Sequence, residues 1–138
     1  MSENSYFAIG QEMVNLLSDI YRSRLPVDDL VVELRDGFLN LAVRVPMFRG
    51  KLVARLYPAG VSWGQDKELS FRFEEDGSLS LIKTAVRFIK RGVREENDLL
   101  FVDITQFWEK LPAEMRWNTK IERVEVRERE VRVHLEKA

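Results

Sequence analysis

The segment most suggestive of chemistry is 60–64, which reads Gly-Val-Ser-Trp-Gly and matches the Gly-x-Ser-x-Gly pattern of serine hydrolases. Asp103 and His134 follow in the chain order used by α/β-hydrolases. The pattern needs a buried strand before the serine and a helix after it, yet Pro58 precedes it and polar residues follow. His134 lies in an alternating strand pattern that predicts a solvent-facing position. We therefore favour a glycine-containing loop and keep a small hydrolase using Ser62 as a third hypothesis.

Other residue types that carry catalysis or bind metals are scarce. The chain has no cysteine and one histidine, which excludes disulfides, thiolate chemistry and zinc sites of the usual His/Cys type. Acidic clusters occur at 28–29, 74–76 and 95–98, at predicted turns and strand ends where carboxylates are solvated. We expect a protein that is not an enzyme and that needs no metal and no cofactor.

Positive charge is concentrated in residues 41–94, which carry a net charge of +6, while the whole chain carries −1. The basic side chains with the most regular spacing are Lys83, Arg87, Lys90, Arg91 and Arg94. If 82–91 is a helix they share one face, as in helices that bind anions or lipid head groups; a strand with period two is the alternative. An ordinary polar face balanced by Glu95 and Glu96 also explains them. Only Phe88 is interleaved, so we expect no nucleic acid partner.

The first predicted element is an amphipathic helix over 6–20. Apolar side chains recur there at spacings of three and four, namely Tyr6, Ile9, Met13, Leu16, Leu17 and Ile20. Asn4 or Ser5 can cap its start, and Pro26 ends it. Gly10 weakens the helix, so we expect packing against a sheet to hold it.

Two β-hairpins are predicted at opposite ends of the chain. In the first, a two-residue turn at Asp36-Gly37 pairs Leu34 with Leu39 and places every apolar pair on one face. In the second, a turn at 128–129 pairs Arg127 with Glu130 and Glu125 with Arg132, which leaves the valines inside. Both hairpins predict a sheet with one apolar side that another element must cover.

The middle of the chain predicts further strands. One strand covers 52–57 and closes at Pro58, and another covers 69–73. A three-residue turn at 75–77 would pair Phe73 with Leu79 and Phe71 with Leu81.

The pattern beyond 82–91 predicts a polar loop at 94–98, a strand at 99–104 and a short helix from Thr105 to Lys110.

Length and composition fit one globular domain, 1–138, with 45% hydrophobic and 33% charged residues. The first twenty residues contain Glu3, Glu12 and Asp19 and no early basic cluster, which does not fit a secretory signal. No apolar run approaches the roughly 20 residues that span a bilayer. These observations predict a cytoplasmic protein.

The order of elements resembles that of the bacterial tubular lipid-binding domains, in which a long curved antiparallel sheet wraps a helix. The matching parts are the N-terminal helix, the segment 27–37 (Val-Asp-Asp-Leu-Val-Val-Glu-Leu-Arg-Asp-Gly), the strand-to-helix unit 100–105, Leu-Pro at 111–112 and the hairpin 121–135. The resemblance implies an apolar ligand, such as a lipid, held between helix and sheet.

We therefore predict an α+β fold: a twisted, mostly antiparallel sheet of six to eight strands, with the N-terminal amphipathic helix packed on its apolar face. The predicted function is non-enzymatic binding of an apolar small molecule or lipid, with the basic segment 83–94 meeting a membrane surface. The residues predicted to line the apolar groove are Met13, Leu17, Val32, Leu41, Phe71 and Phe73. The alternative is a protein-interaction module that acts as a homodimer.

Overall fold

The first predicted hairpin is present in the computed structural model, which describes residues 5–23, 27–44, 51–75, 80–88 and 92–137. Leu34 pairs with Leu39 and Arg35 with Phe38, as the sequence predicts. Of the two turn residues only Gly37 takes a positive φ, 95°, so the turn is not of the I′ type, in which both would. The last hairpin also has the predicted register, with Arg127 opposite Glu130.

The described residues form nine strands and four helices. The strands are β1 (Tyr6–Gly10), β2 (Asp29–Arg35), β3 (Phe38–Arg44), β4 (Leu52–Trp63), β5 (Lys67–Glu75), β6 (Val93–Glu96), β7 (Leu99–Asp103), β8 (Thr119–Arg127) and β9 (Glu130–Lys137). The helices are α1 (Gln11–Arg22), α2 (Leu81–Phe88), α3 (Thr105–Glu109) and α4 (Ala113–Arg116).

The fold is α+β with antiparallel sheets, as predicted, but the strands form two sheets rather than one. The larger sheet has six strands in the order β2-β3-β4-β5-β7-β6, and the smaller sheet has the order β1-β9-β8. The larger sheet has a strand number within the predicted six to eight, and the second sheet was not predicted. Alternating apolar residues identify strands, but they do not identify which strands pair over long separations in the chain.

The core of the larger sheet lies on one face, which α2 covers. Its buried side chains come from β3, β4, β5 and α2, namely Val43, Leu52, Ala54, Leu56, Phe71, Phe73, Leu81 and Ile82. Every second residue of β4 from Leu52 to Leu56 points into it, which explains why these strands alternate in polarity.

The N-terminus of α2 is held by two side chains from the segment before it. The Glu75 carboxylate accepts hydrogen bonds from the Ile82 N–H (2.7 Å) and the Ser80 hydroxyl (2.6 Å). Ser80 Oγ in turn accepts from the Lys83 N–H at 3.1 Å, as an N-cap does. Of the two alternatives left open by the sequence, helix and strand, the structure shows the helix over 82–88, and 89–91 lie outside the described residues.

The predicted hairpin that would pair Phe71 with Leu81 is wrong, since Leu81 opens α2 and Leu79 lies outside the described residues. Phe71 instead pairs with Pro58 on β4 and Leu100 on β7. The helix is preferred because the caps at its start satisfy N–H groups that a turn would leave exposed.

Residues 6–10 form strand β1, not the first turns of a helix. Phe7 and Ile9 turn toward the smaller sheet's core while their neighbours are exposed, and Tyr6 pairs with His134. The spacing of Tyr6, Ile9 and Met13 is typical of a helix. The two-residue alternation of Phe7 and Ile9 is typical of a strand, and a strand is what forms. Only the part from Gln11 onward is helical.

Two further boundaries differ from the prediction. Strand β4 continues through Pro58 to Trp63 because a β-bulge between Pro58 and Gly60 absorbs the break in register. Residues 94–96, predicted as part of a loop, belong to β6, which reaches β7 through a turn at Asn97 and Asp98 with φ of 51° and 63°. Asn and Asp tolerate this left-handed region, so the turn signal was present in the sequence.

The two sheets meet where β4 packs against β8. The turn of the first hairpin also reaches across, because the Gly37 N–H donates to the Val126 carbonyl at 2.8 Å. The second core contains Trp108, Ile121 and Val133, and Phe7 packs against it. Among the described residues, no helix combines the length and the apolar character needed to cross a bilayer.

Candidate functional site

Helix α1 is attached to the larger sheet through a polar face. The Gln11 amide donates from Nε2 to the Val32 carbonyl (2.7 Å) and accepts from the Leu34 N–H (2.9 Å). It therefore imitates a neighbouring strand along β2, an edge of the sheet. Ser18 is buried on the same side of the helix and donates back to the Val14 carbonyl at 2.8 Å.

The apolar face of α1 is exposed, against the prediction that it packs on the sheet. The residues of this face, which we name the α1 stripe, are Met13 (50% exposed), Leu16 (55%), Leu17 (42%) and Ile20 (46%). The reason is that α2 already covers the apolar face of the larger sheet, so α1 lies beside β2 instead. Exposed apolar stripes of this kind mark interaction surfaces.

The predicted groove between helix and sheet is consequently not formed. Phe71 and Phe73 are buried in the core of the larger sheet, and Leu41 packs against that core. Met13 and Leu17 face solvent. Val32 is half-buried, and its carbonyl is bound by α1.

The predicted basic face is divided between two elements. Lys83 and Arg87 are exposed on α2, while Lys90 and Arg91 lie outside the described residues. Arg94 is on β6, where it forms ion pairs with Glu68 and Glu96 and stacks 3.9 Å from the Phe101 ring centroid. Hydrogen bonding to Glu68 raises the pKa of Arg94. Its charge is balanced locally.

The three residues of the hydrolase pattern lie on three different strands, and each has different neighbours. Ser62 lies in β4 opposite Glu68, so the strand-turn-helix geometry of a nucleophile elbow is absent at this segment. The Asp103 carboxylate accepts the Thr105 N–H at 2.8 Å, and hydrogen bonding to Thr105 lowers the pKa of Asp103.

His134 is only 7% exposed, so the prediction of a solvent-facing position is wrong. The unforeseen strand β1 places Tyr6 against it, with ring centroids 5.3 Å apart. On its other side, Nε2 lies 2.9 Å from Glu125 Oε1, and this hydrogen bond lowers the pKa of Glu125.

The geometry reveals a cleft that the sequence reasoning missed, between α3, α4 and one end of the smaller sheet. We name it the α3–α4 cleft. Its volume is about 280 Å³, and its apolar lining comprises Phe7, Trp108, Leu111, Met115 and Leu135. The Trp108 ring packs edge-on against Trp63 with centroids 4.8 Å apart, which fixes one wall.

Polar groups lie among the same lining residues: Ser5, Thr119, Glu136 and Lys137. Glu136 is ion-paired with Lys120 at 3.3 Å. The Arg116 guanidinium donates from Nε to the Leu111 carbonyl at 2.8 Å and so holds α4 against the end of α3. An apolar cleft with a few polar groups is the usual form of a small-molecule site.

Large exposed side chains surround this region of the chain. Phe107 is 61% exposed, Met115 48% and Trp117 80%. One feature of the sequence could have indicated the cleft: the density of aromatic and apolar residues over 107–117 is high for two short helices joined at Pro112.

Within the described ranges, no group of three or more His, Cys, Asp or Glu side chains is placed to hold a metal ion. Comparison with known proteins found no matching protein family, no similar curated protein and no matching solved structure.

Proposed function

We propose that this chain is a non-enzymatic binding protein that takes an apolar ligand, such as a lipid acyl segment, into the α3–α4 cleft. The observation that carries the proposal is the cleft itself, about 280 Å³ in volume and walled by Phe7, Trp108, Leu111 and Leu135. This volume is near the lower end of small-molecule sites, about 300–1,000 Å³, so it suits one acyl segment or one ring.

Two exposed rings close in sequence to residues of the cleft support a lipid rather than a freely soluble ligand: Phe107 precedes Trp108, and Trp117 lies two residues after Met115. Trp117 and Phe107 are the most exposed large apolar side chains of the described residues. Trp is favoured where a protein meets the head-group region of a membrane. A protein that collects a lipid from a surface needs exposed aromatic residues of this kind.

Two methionines of nearly equal exposure provide a matched test. Met115 (48% exposed) lines the cleft, and Met13 (50% exposed) lies on the α1 stripe. We expect decanoate and 1-decanol, titrated below the concentrations at which they self-associate, to bind the unmodified protein. Met115→Glu should weaken this binding about tenfold or more, because it places a charge in the apolar wall. Met13→Glu should leave the affinity unchanged.

Calorimetric titration gives the affinities, and circular dichroism checks that both variants remain folded. Failure of both ligands to bind would contradict the proposal. Equal weakening by Met13→Glu and Met115→Glu would also contradict it, because the cleft would then not be the site.

The second candidate is a protein-interaction module that acts as a homodimer, and the α1 stripe specifically favours it. Its four large apolar side chains lie on consecutive turns and form one continuous apolar surface. The exposed apolar residues that are common on soluble proteins are instead isolated from one another. Sedimentation velocity at increasing protein concentration tests it. A dimer that Leu17→Glu dissociates and Met115→Glu preserves would support this second function, and a monomer at all concentrations would remove it.

A further inference from the structure

A second cavity lies at the seam between the two sheets, and it shares no lining residue with the α3–α4 cleft. We name it the seam cavity. It has a volume of about 230 Å³, and its walls come from β4, β5 and β8. Its apolar walls are formed by Pro58, Leu69, Phe71 and Val124.

Two β-bulges border this cavity, one from each sheet. On β4 the register shifts between Pro58 and Gly60, and on β8 it shifts between Ile121 and Arg123. Bulges redirect side chains and release backbone groups from the ladder, and they are frequent beside functional sites. Ala59, the extra residue on β4, itself lines the cavity.

The glycine on the β4 side allows close packing of the wall. A β-carbon at Gly60 would lie 3.3 Å from Ser70 Oγ, which is tighter than usual packing allows. The Ser70 hydroxyl donates to the Gly60 carbonyl at 3.2 Å. The wall therefore has a defined shape.

The charge of the lining is one-sided. Among the described lining residues, Arg123 is the one that is charged, and none carries a carboxylate. The Arg123 side chain is 56% exposed, and its ion pair with Glu122, at 3.5 Å, is at the long limit for a hydrogen bond. Its guanidinium thus retains donors for a ligand, and guanidinium pairs best with planar anions such as carboxylates.

We propose that the seam cavity binds a small apolar carboxylate, with the hydrocarbon part against Leu69, Phe71 and Val124 and the carboxylate on the guanidinium of Arg123. The ligand class follows from one cation at the edge of a cavity whose other described lining residues are uncharged and mostly apolar. This site is independent of the α3–α4 cleft, and either can exist without the other.

The test compares benzoate with benzamide, which has nearly the same shape and no charge. In two-dimensional NMR titrations of the full chain, benzoate should shift the signals of Leu69, Phe71 and Val124 saturably. Benzamide should bind about fivefold more weakly, the size expected for one partly exposed charge pair. Arg123→Gln should abolish that preference and leave the two ligands with equal affinities.

Arg127→Gln is the matched control, since Arg127 is an exposed arginine on the same strand that pairs with Glu125 instead. It should retain the preference for benzoate. Gly60→Ala should weaken both ligands, because it narrows the cavity without touching the charge.

The proposal is overturned if benzoate produces no saturable shift at these residues with a dissociation constant below about 10 mM. It is also overturned if Arg123→Gln keeps the preference, or if the shifts appear only at Trp108 and Leu135 in the other cleft.

Discussion

Helices α1 and α2 are both amphipathic, yet they use their apolar faces in opposite ways. Leu81 and Ile82 of α2 are buried at 8% and 3% exposure in the core of the larger sheet. On α1, Leu16 and Ile20 remain 55% and 46% exposed. The hydrophobic pattern of a helix therefore predicts that it is helical, but it does not determine which face contacts the sheet.

The difference comes from how each helix is anchored. Glu75 and Ser80 hold the start of α2 directly above the apolar face of the sheet. Gln11 holds α1 to the backbone of β2 at the sheet's edge. Once the central face is covered by α2, a helix at the edge has no apolar surface of comparable size to pack against. Its stripe is then available for another molecule.

The largest expected contrast between the two helices is in core packing. Ile82→Ala should lower the free energy of unfolding by about 2–5 kcal/mol, because it removes buried methyl groups and leaves a cavity. Leu16→Ala should change it by less than about 0.5 kcal/mol, since the side chain is already exposed. Urea unfolding of both variants measures this. If the two variants lose similar amounts of unfolding free energy, the apolar face of α1 is packed against other residues in solution, which contradicts the contrast.

The next largest effect concerns the anchor of α2. Glu75→Ala should cost about 1–2 kcal/mol, because the Ile82 N–H and the Ser80 hydroxyl lose their acceptor. Among the described residues, the neighbouring Glu74 pairs near the surface with Arg55 and Arg72, so Glu74→Ala is the control and should cost less. The same unfolding assay compares them. A larger loss from Glu74→Ala would contradict the assigned cap.

The anchor of α1 should have a smaller and more local effect. Gln11→Ala removes two hydrogen bonds to β2, worth about 1 kcal/mol in net stability. Amide exchange of Leu34 should become roughly tenfold faster, because its N–H loses the Gln11 acceptor. Exchange of Ile82 should be unchanged, as it reports on α2. Unaltered protection of Leu34 would mean that another group covers this edge.

The smallest effect is the dependence of stability on pH through Glu125. Its hydrogen bond with His134, and then the charge of Arg127, hold the pKa of Glu125 below the usual value near 4.5. A lowered carboxylate pKa contributes stability above the unfolded-state pKa, and this contribution is lost as the pH falls through the folded-state value. Glu125→Gln should therefore flatten the loss of stability as the pH falls below the usual glutamate pKa near 4.5.

Urea unfolding at a series of pH values measures this slope. Glu114→Gln, at an exposed position on α4, is the control and should leave the slope as it is. If Glu125→Gln leaves the loss of stability at low pH unchanged, the assigned hydrogen bond is contradicted.

Local signals in the sequence predicted the local parts of the fold. Both hairpins formed in the expected register, because turn residues and alternating apolar pairs act over a few residues. The pairing of β1 with β9 joins residues near 6 with residues near 134, and nothing in either segment identifies the other. The burial of His134 depends on that pairing, so the sequence could not reveal it.

The candidate site was harder to predict for the same reason. Phe71 and Phe73 were expected in a groove but are core residues, since α2 covers them. The α3–α4 cleft joins Phe7 and Leu135 from the two ends of the chain with Trp108 from its last third. Only the aromatic density of 107–117 could have pointed to it, and that density does not show whether rings are buried or exposed.

The most direct test of the central claim is paramagnetic relaxation by a fatty acid that carries a nitroxide on its chain, mapped by NMR over the whole protein. We predict that the signals of Trp108, Leu111 and Leu135 broaden, while those of Met13 and Leu17 do not. Broadening confined to the α1 stripe, or no broadening at all, would contradict the assignment of the α3–α4 cleft as the apolar binding site.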